Sequence, residues 1–438
     1  MSLLSPLEGL HSAETFHPDF LEAFLQRVRE VEARPREYLE ALRGRLVATV
    51  FHEPSTRTRL SFEAAAQRLG AGILTVADPA TTSARKGESL ADTARMVGSY
   101  ADLVVWRHPW EGATRLAALH AGVPVVNGGD GRLGHPTQTL VDLYVLWKEW
   151  GGIAGRTVGL LGDLLHGRTA RSLAWGLVRS GARLVLLPGP GLEWEDAFEE
   201  RLLEQGDYRL RLVRHALVQA WTGREVARIL EPRTPVQGTL FADERPVLER
   251  LDALYLTRLQ EERGARADRA YPGLRPEQLG DPVLRGCLFL HPLPRRSELP
   301  VEVDRDPRVR YFAQAAAGPP VRMTLFLAML RPDLVDLPAL DPLPAGQEDP
   351  ALGSCANENC VSRGEGLSAR WRITGRPRRM FLCAWCDQPL KVDYVGCRST
   401  RRFHPAHSPA LQRIRPENLR PFRDRESAEA AGFSWAGA

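Results

Sequence analysis

The chain has 438 residues, 43% of them apolar, with a formal net charge of +4. That is enough for two or three domains with ordinary cores, and six cysteines are too few for a disulfide framework in a chain of this length. No apolar run reaches membrane-span length and no basic-then-apolar leader opens the chain, so a cytoplasmic protein without a membrane partner is expected.

Spaced Phe20, Leu21, Phe24, Leu25, Val28 and Val31 predict an amphipathic helix over 18–43. Leu46 to Phe51 is a short apolar run that predicts a buried strand, and Leu60 to Leu69 predicts a helix ended by Gly70. Ser55 and Thr56 sit at the corner between them, where a hydroxyl can cap the helix. The unpaired N–H groups and positive dipole of a helix start attract an anion, phosphate above all, and Arg57 and Arg59 add guanidinium forks. An ordinary Ser N-cap with two solvated arginines is the plain alternative. The run Ser55-Thr56-Arg57-Thr58-Arg59-Leu60-Ser61-Phe62-Glu63 nevertheless resembles the carbamoyl-phosphate motif of the aspartate and ornithine carbamoyltransferases.

Ile73 to Val76 predicts a second strand, followed by a polar loop from Asp78 to Ser89. Lysine occurs only at 86, 148 and 391, so Lys86 in this loop stands out. The resemblance implies that Ser83 and Lys86 enter the active site of a neighbouring subunit, in a homotrimer with shared sites. A strand over 101–106 delivers Arg107-His108-Pro109 at its carboxyl end, where open α/β sheets place ligands. A strand over 123–127 and a loop lead to His135-Pro136-Thr137-Gln138 and a helix over 141–150. By resemblance, Ser55, Thr56, Arg57, Arg107, Ser83 and Lys86 hold the phosphate. Thr58, Arg107 and His135 donate to the carbonyl oxygen, with Arg57 beside them among the catalytic residues. Gln138 and the Leu293-Pro294 turn orient the amide.

A second domain begins with a strand over 157–163 and a loop into a helix over 170–180. The glycines here do not make the G-x-G-x-x-G of dinucleotide sites. A strand follows over 183–188. Residues 191–250 carry no clear pattern, with an inserted helix or loop expected near 216–246. Strands are expected over 251–256 and 288–290, and a helix over 311–331 that returns to the first domain.

The second substrate is a question of charge. An aspartate acceptor brings two carboxylates and needs guanidinium forks; ornithine brings an extra cation and needs an acidic residue. The resemblance assigns Lys86, Arg168, Arg258 and Gln260 to aspartate. His291-Pro292-Leu293-Pro294-Arg295 lacks the cysteine that the ornithine enzyme carries in that turn. The expected function is therefore carbamoyl transfer from carbamoyl phosphate to L-aspartate in pyrimidine biosynthesis, with ornithine or another amine as the alternative acceptor, and no cofactor for catalysis.

Residues 336–354, rich in proline, predict a linker. Beyond it, Cys355-x4-Cys360 and Cys383-x2-Cys386 have the paired spacing of four thiolates on one structural Zn2+. Cys-Ala-Asn-Glu-Asn-Cys with Leu-Cys-Ala-Trp-Cys resembles the zinc domain of the aspartate carbamoyltransferase regulatory chain, here fused to the catalytic portion. Residues 351–438 hold 15 Lys+Arg against 8 Asp+Glu, while the rest holds 43 against 46. That surplus suits docking on the acidic body or, as the weaker alternative, nucleic acid.

The expected class is α/β. A carbamoyl-phosphate domain spans 1–150 and is completed by the returning helix at 311–335; an aspartate domain spans 151–310. Both are doubly wound parallel-sheet domains. A β-rich zinc-ribbon-like domain at 355–400 and a basic tail at 401–438 follow the linker.

Overall fold

The computed structural model describes residues 8–77, 87–233, 248–264, 271–343, 346–349, 352, 355–368, 370–373 and 380–437. The chain divides into two units: Met1–Pro109 with Ala117–Pro342, and Trp110–Leu116 with Leu343–Ala438.

In the first unit, β1 (Gly9–Leu10) precedes α1 (Pro18–Ala33). α1 stops well short of residue 43 because Pro35 disfavours the helical conformation at Arg34. Then come β2 (Leu46–Phe51), α2 (Thr56–Arg68), β3 (Gly72–Val76), α3 (Leu90–Tyr100), β4 (Leu103–His108), α4 (Ala113–Ala121), β5 (Val125–Asp130) and α5 (Pro136–Trp150). The strands form a parallel sheet in the order β1-β5-β4-β2-β3. The β2 run is apolar on both faces because the sheet is covered on both, as parallel sheets are.

The chain continues through β6 (Thr157–Gly162), α6 (Arg168–Arg179), β7 (Arg183–Pro188), α7 (Asp196–Gln205), β8 (Tyr208–Arg214), α8 (Ala216–Thr222), β9 (Val226–Pro232), β10 (Ala253–Leu256) and β11 (Leu288–Leu290). Their order is β11-β10-β6-β7-β9-β8. The sheet is parallel except at β9, which pairs antiparallel with both β7 and β8. This strand falls in the stretch where the sequence left an insertion of helix or loop; α8 fills part of it. The returning helix is broken into α9 (Tyr311–Ala316) and α10 (Gly318–Leu330), since Pro319 and Pro320 start a new helix rather than continue one. One core cluster runs from Phe20, Phe24 and Phe62 through Leu143 and Leu173 to Phe326; a second, around Leu161, Leu254 and Phe289, lies in the second sheet.

The second unit contains β12 (Gln347–Glu348), α11 (Val361–Gly364), β13 (Arg370–Ile373), β14 (Phe381–Cys383), β15 (Tyr394–Cys397), β16 (Arg402–Pro405), β17 (Leu419–Phe422), α12 (Arg425–Ala430) and β18 (Ser434–Trp435). Residues 401–437, within the stretch expected as a basic tail, are folded: β16, β17 and β18 join β15 in one sheet of order β17-β15-β16-β18. Phe403, Phe422, Ala428 and Phe433 supply its core, and Gly396 lets Phe422 and Phe433 close over β15. The charged residues that suggested a tail stand between these apolar ones.

The segment Trp110–Leu116 is built into this unit. Glu111 pairs with Cys360, its N–H donating to the Asn359 carbonyl at 2.7 Å. Gly112, at φ +87°, lies where a Cβ would meet the Trp385 carbonyl at 2.8 Å. Arg115, buried, donates to the Ala384 and Trp385 carbonyls at 2.7 and 3.0 Å and to Asp387 at 3.0 and 3.2 Å. Arg372 reaches the same carboxylate at 2.8 Å. Arg115→Ala strands part of a buried ionic network, so the second unit should lose about 3–5 kcal/mol. Denaturant titration with hydrogen exchange at Ala384–Asp387 checks this; wild-type protection there would contradict it.

Candidate active site and metal centre

Three helices begin around one cleft in the first unit, and none has a side-chain cap: α2 after Ser55, α5 after His135 and α6 after Gly167. First-turn N–H groups left without a side-chain acceptor suit an anion, although in α5 Pro136 has none and the Gln138 N–H donates to the His135 carbonyl at 2.9 Å. Ser55 holds the N-cap position without capping, contrary to the simplest reading of a Ser there. Ser55 and Thr58 are half-buried, Thr56 and Arg57 exposed.

Arg107, in β4, is buried and donates to the Gly128 carbonyl at 3.0 Å and to Glu53 at 2.9 Å. Arg168, at the start of α6, donates to both oxygens of Glu53 at 2.7 and 2.9 Å and to the Gly131 carbonyl at 3.1 Å. Arg263, in the turn after β10, reaches Glu53 at 3.3 Å. Gly129, at φ +126°, passes between two of these guanidinium groups: a Cβ there would sit 2.7 Å from Arg107 Nη1 and 3.0 Å from Arg168 Cζ. Burial opposes ionisation of Glu53, but Arg168, Arg107 and Arg263 outweigh it and hold its carboxyl down at about 2. Burial, with Arg168 next, pushes Arg263 down to about 10.

His135 is buried, its Nε2 has no hydrogen-bond partner, and its N–H donates to Ser172 at 2.6 Å. Burial first, then the fields of Arg107, Arg168, Arg322 and Arg263, keep the imidazole well below its ordinary value, so it is neutral at pH 7. Gln138 is half-buried and donates to Asp142 at 2.7 Å. Arg258 forks onto Glu262, one arm at 2.9 Å, and its field reaches Arg57. The Gln260 N–H donates to Asp163 at 3.1 Å. Leu293, at φ +53°, donates its N–H to His291 Nδ1 at 2.8 Å; Pro294 is exposed. Ser83 and Lys86 lie outside the described residues.

Arg107, Arg168 and His135 thus come together, and Arg57 and Arg258 lie within each other's field. Sequence reasoning missed Glu53 and Arg263. Glu53 lies two residues before Ser55 and Arg263 three after Gln260, and nothing local tells that these two meet.

In the second unit, Cys355, Cys360, Cys383 and Cys386 are buried and their sulfurs lie within 4.8 Å of one another. A tetrahedron of thiolates at the ordinary zinc–sulfur distance has edges of about 3.8 Å. Cys355–Cys386 and Cys360–Cys383 are 3.7 and 3.8 Å apart. The four side chains can hold a metal ion. Among the described residues no helix is long and apolar enough to cross a membrane.

Residues 9–148 match the model of the aspartate/ornithine carbamoyltransferase carbamoyl-phosphate-binding domain. An aspartate carbamoyltransferase catalytic subunit of Thermoplasma acidophilum is 41% identical over 295 residues, 66% of this chain and 87% of that protein. The one from Chromobacterium violaceum is 40% identical over 72% of this chain and 96% of its own length. The structure of aspartate transcarbamoylase from Trypanosoma cruzi in complex with aspartate and phosphate is 31% identical, with a TM-score of 0.60 over 74% of this chain and 96% of that one. The catalytic subunit of M. jannaschii aspartate transcarbamoylase gives 33% identity and a TM-score of 0.57 over 75% of this chain and 99% of that one. The chain belongs to the family of aspartate carbamoyltransferase catalytic subunits.

Proposed function

We propose that the cleft transfers a carbamoyl group from carbamoyl phosphate to the amine of L-aspartate, giving N-carbamoyl-L-aspartate and phosphate. The observation that carries this is the convergence of Arg107, Arg168 and Arg263 on one carboxylate beside three uncapped helix starts. The excess of guanidinium over carboxylate suits a phosphorylated substrate and a dicarboxylic acceptor. An acceptor with a second cation finds Glu53 and Glu262 already bound by arginine.

The phosphate lies at the start of α2 on Ser55, Thr56, Arg57 and Thr58, with Arg107 and the neighbouring subunit's loop bearing Ser83 and Lys86. The neutral His135 donates from its unpartnered Nε2 to the carbamoyl oxygen, joined by Thr58 and Arg107. Charge grows on that oxygen as the amine attacks, so preorganised donors stabilise the transition state more than the substrate. Gln138 and the Leu293-Pro294 turn orient the carbamoyl amide. Arg168, Arg258, Gln260 and Lys86 hold the aspartate carboxylates. Phosphate leaves directly and no side chain acts as nucleophile.

The trimer belongs to this reading. β3 is the edge strand of its sheet, and Leu74 on it and Leu60 on α2 stand exposed, as does Tyr100. A neighbouring subunit covering this edge would bring the loop after β3 to the next site. The metal of the second unit is read as structural Zn2+, and the carbamoyl-phosphate and aspartate domains as residues 1–150 with 311–335 and residues 151–310.

Arg258→Ala should raise the aspartate KM about 100-fold, the worth of a lost charge-assisted fork, and leave carbamoyl-phosphate affinity within a few-fold. Steady-state kinetics with each substrate varied decides; equal weakening of both would contradict the assignment. Lys86→Ala and Arg57→Ala should each be nearly inactive, yet mixing them after dissociation and reassociation should restore activity, because some interfaces regain both residues. Mixtures as inactive as their parents would rule out shared sites. Cys383→Ser should release zinc and unfold the second unit, because a four-thiolate site supplies much of the folding free energy of so small a module. Metal analysis beside thermal unfolding reads both, and an unchanged melting curve after metal loss would refute the structural role.

A further inference from the structure

Gln138 and Asp142 lie four residues apart on one face of α5. Asp142 is fully buried, and a single oxygen, Oδ1, accepts from Gln138 Nε2 at 2.7 Å and from Gln314 Nε2 at 2.5 Å. The carboxyl also interacts with the buried Tyr255 hydroxyl. The Gln314 side chain is itself fixed: its Oε1 accepts from the His291 N–H at 3.1 Å. A backbone N–H can only donate, so the oxygen end of Gln314 must face His291 and the amino end must face Asp142. While Asp142 Oδ1 carries no proton it is an acceptor only, and it meets Gln138 through the amino end of that amide. The ambiguity between the two ends of a side-chain amide is thereby removed. The oxygen of Gln138 is the end left for the cleft. His291 also accepts the Leu293 N–H at 2.8 Å, so the same chain of hydrogen bonds reaches the Leu293 turn. It links α5, α9 and the loop after β11.

We propose that Asp142 is a positioning residue that fixes which end of the Gln138 amide faces the substrate, so that the site selects an acyl phosphate whose carbonyl carries an amino group over one that carries a methyl group. An amino group donates and needs an acceptor in front of it; a methyl group gains nothing from one and strips the amide oxygen of water. The preference therefore depends on Gln138 presenting oxygen rather than nitrogen. Without Asp142 the side-chain amide is free to turn, and its amino end would meet the substrate's amino group donor to donor. The inference rests on the reading of Gln138 as the partner of the carbamoyl amide.

The test is the ratio of affinities for carbamoyl phosphate and acetyl phosphate, the latter measured as a competitive inhibitor. Asp142→Leu keeps the branched shape and removes the acceptor. It should lower the carbamoyl preference about tenfold, mainly by weakening carbamoyl phosphate, as for one lost oriented hydrogen bond. Asp142→Asn still offers Oδ1 to both glutamines and should restore most of the preference. If Asp142→Leu does not fold, Asp142→Ala gives the same reading. Equal weakening of both ligands would mean a purely structural carboxylate and overturn the proposal. So would an Asp142→Asn variant as unselective as Asp142→Leu. Gln138→Ala separates the two layers. If it lowers the preference and the Asp142 variants do not, the anchoring fails and the role of Gln138 stands. If it leaves the preference unchanged, the role of Gln138 falls and the inference falls with it.

Discussion

Glu53 is the carboxylate on which the cleft is assembled. Three guanidinium groups from β4, α6 and the turn after β10 come from segments spread over more than 150 residues of chain, and they repel one another. At an effective dielectric of about 20, two unit charges 4 Å apart interact by about 4 kcal/mol, so three arginines do not gather without compensation. Glu53 supplies it, with carbonyls of Gly128 and Gly131 taking further N–H groups. The strand order then makes sense of the location. β2 and β4 are adjacent, so the end of one delivers Glu53 and the end of the other Arg107. An incoming phosphate or dicarboxylate meets cations already gathered and desolvated, and the entropy of collecting them has been met in folding.

What was legible in the sequence follows the range of the force involved. The strand at 46–51 and the helix after Ser55 are set by local apolar patterning, and the structure has both. Arg107, His135 and Arg168 lie at strand ends or helix starts, which is why local pattern and resemblance lead to them. Glu53 and Arg263 are 210 residues apart, and only the closed sheets bring them within 3.3 Å. β9 escaped notice because Val226 to Pro232 sets Arg228 and Glu231 among its apolar residues; Glu231 is buried and bonded by Arg209, a partner that no local pattern shows. The folded region after residue 400 escaped for a related reason. Its strands are only two to four residues long and interrupted by prolines and arginines, so no period builds up.

The second unit shows a different dependence. Its cysteine centre and its salt-bridge network share the knuckle Cys383–Asp387. Arg115 holds the Ala384 and Trp385 carbonyls of that knuckle, and Asp387 follows the last cysteine directly. Trp371 and Phe381 from the cysteine-bearing sheet share a core with Val395 and Leu419 from the next one. Cysteine cluster, ion pairs and apolar core therefore support the same few residues, and a loss at any of them is felt by the others.

Glu53 and Asp142 show how one fold sets two buried carboxyls to opposite states. Burial disfavours the charged form of each. At Glu53 three arginines outweigh it and the group titrates near 2, below its value in the unfolded chain. Its contribution to stability is complete above the unfolded value of 4.5 and is lost only as the pH falls toward 2. At Asp142 burial wins over the hydrogen bonds from Gln138, Gln314 and Tyr255 and the field of Arg322, and the group is raised to about 7. A raised carboxyl reverses the sign: its contribution is present below the unfolded value of 3.8 and is lost as the pH rises through about 7. The charge that gathers the arginines is thus fixed across the neutral range. The oxygen that orders Gln138 accepts hydrogen bonds whether or not its partner oxygen carries a proton. Long-range electrostatic gathering needs the ionised form, and short-range amide orientation needs only a lone pair, which is why the first carboxyl sits among cations and the second among amides.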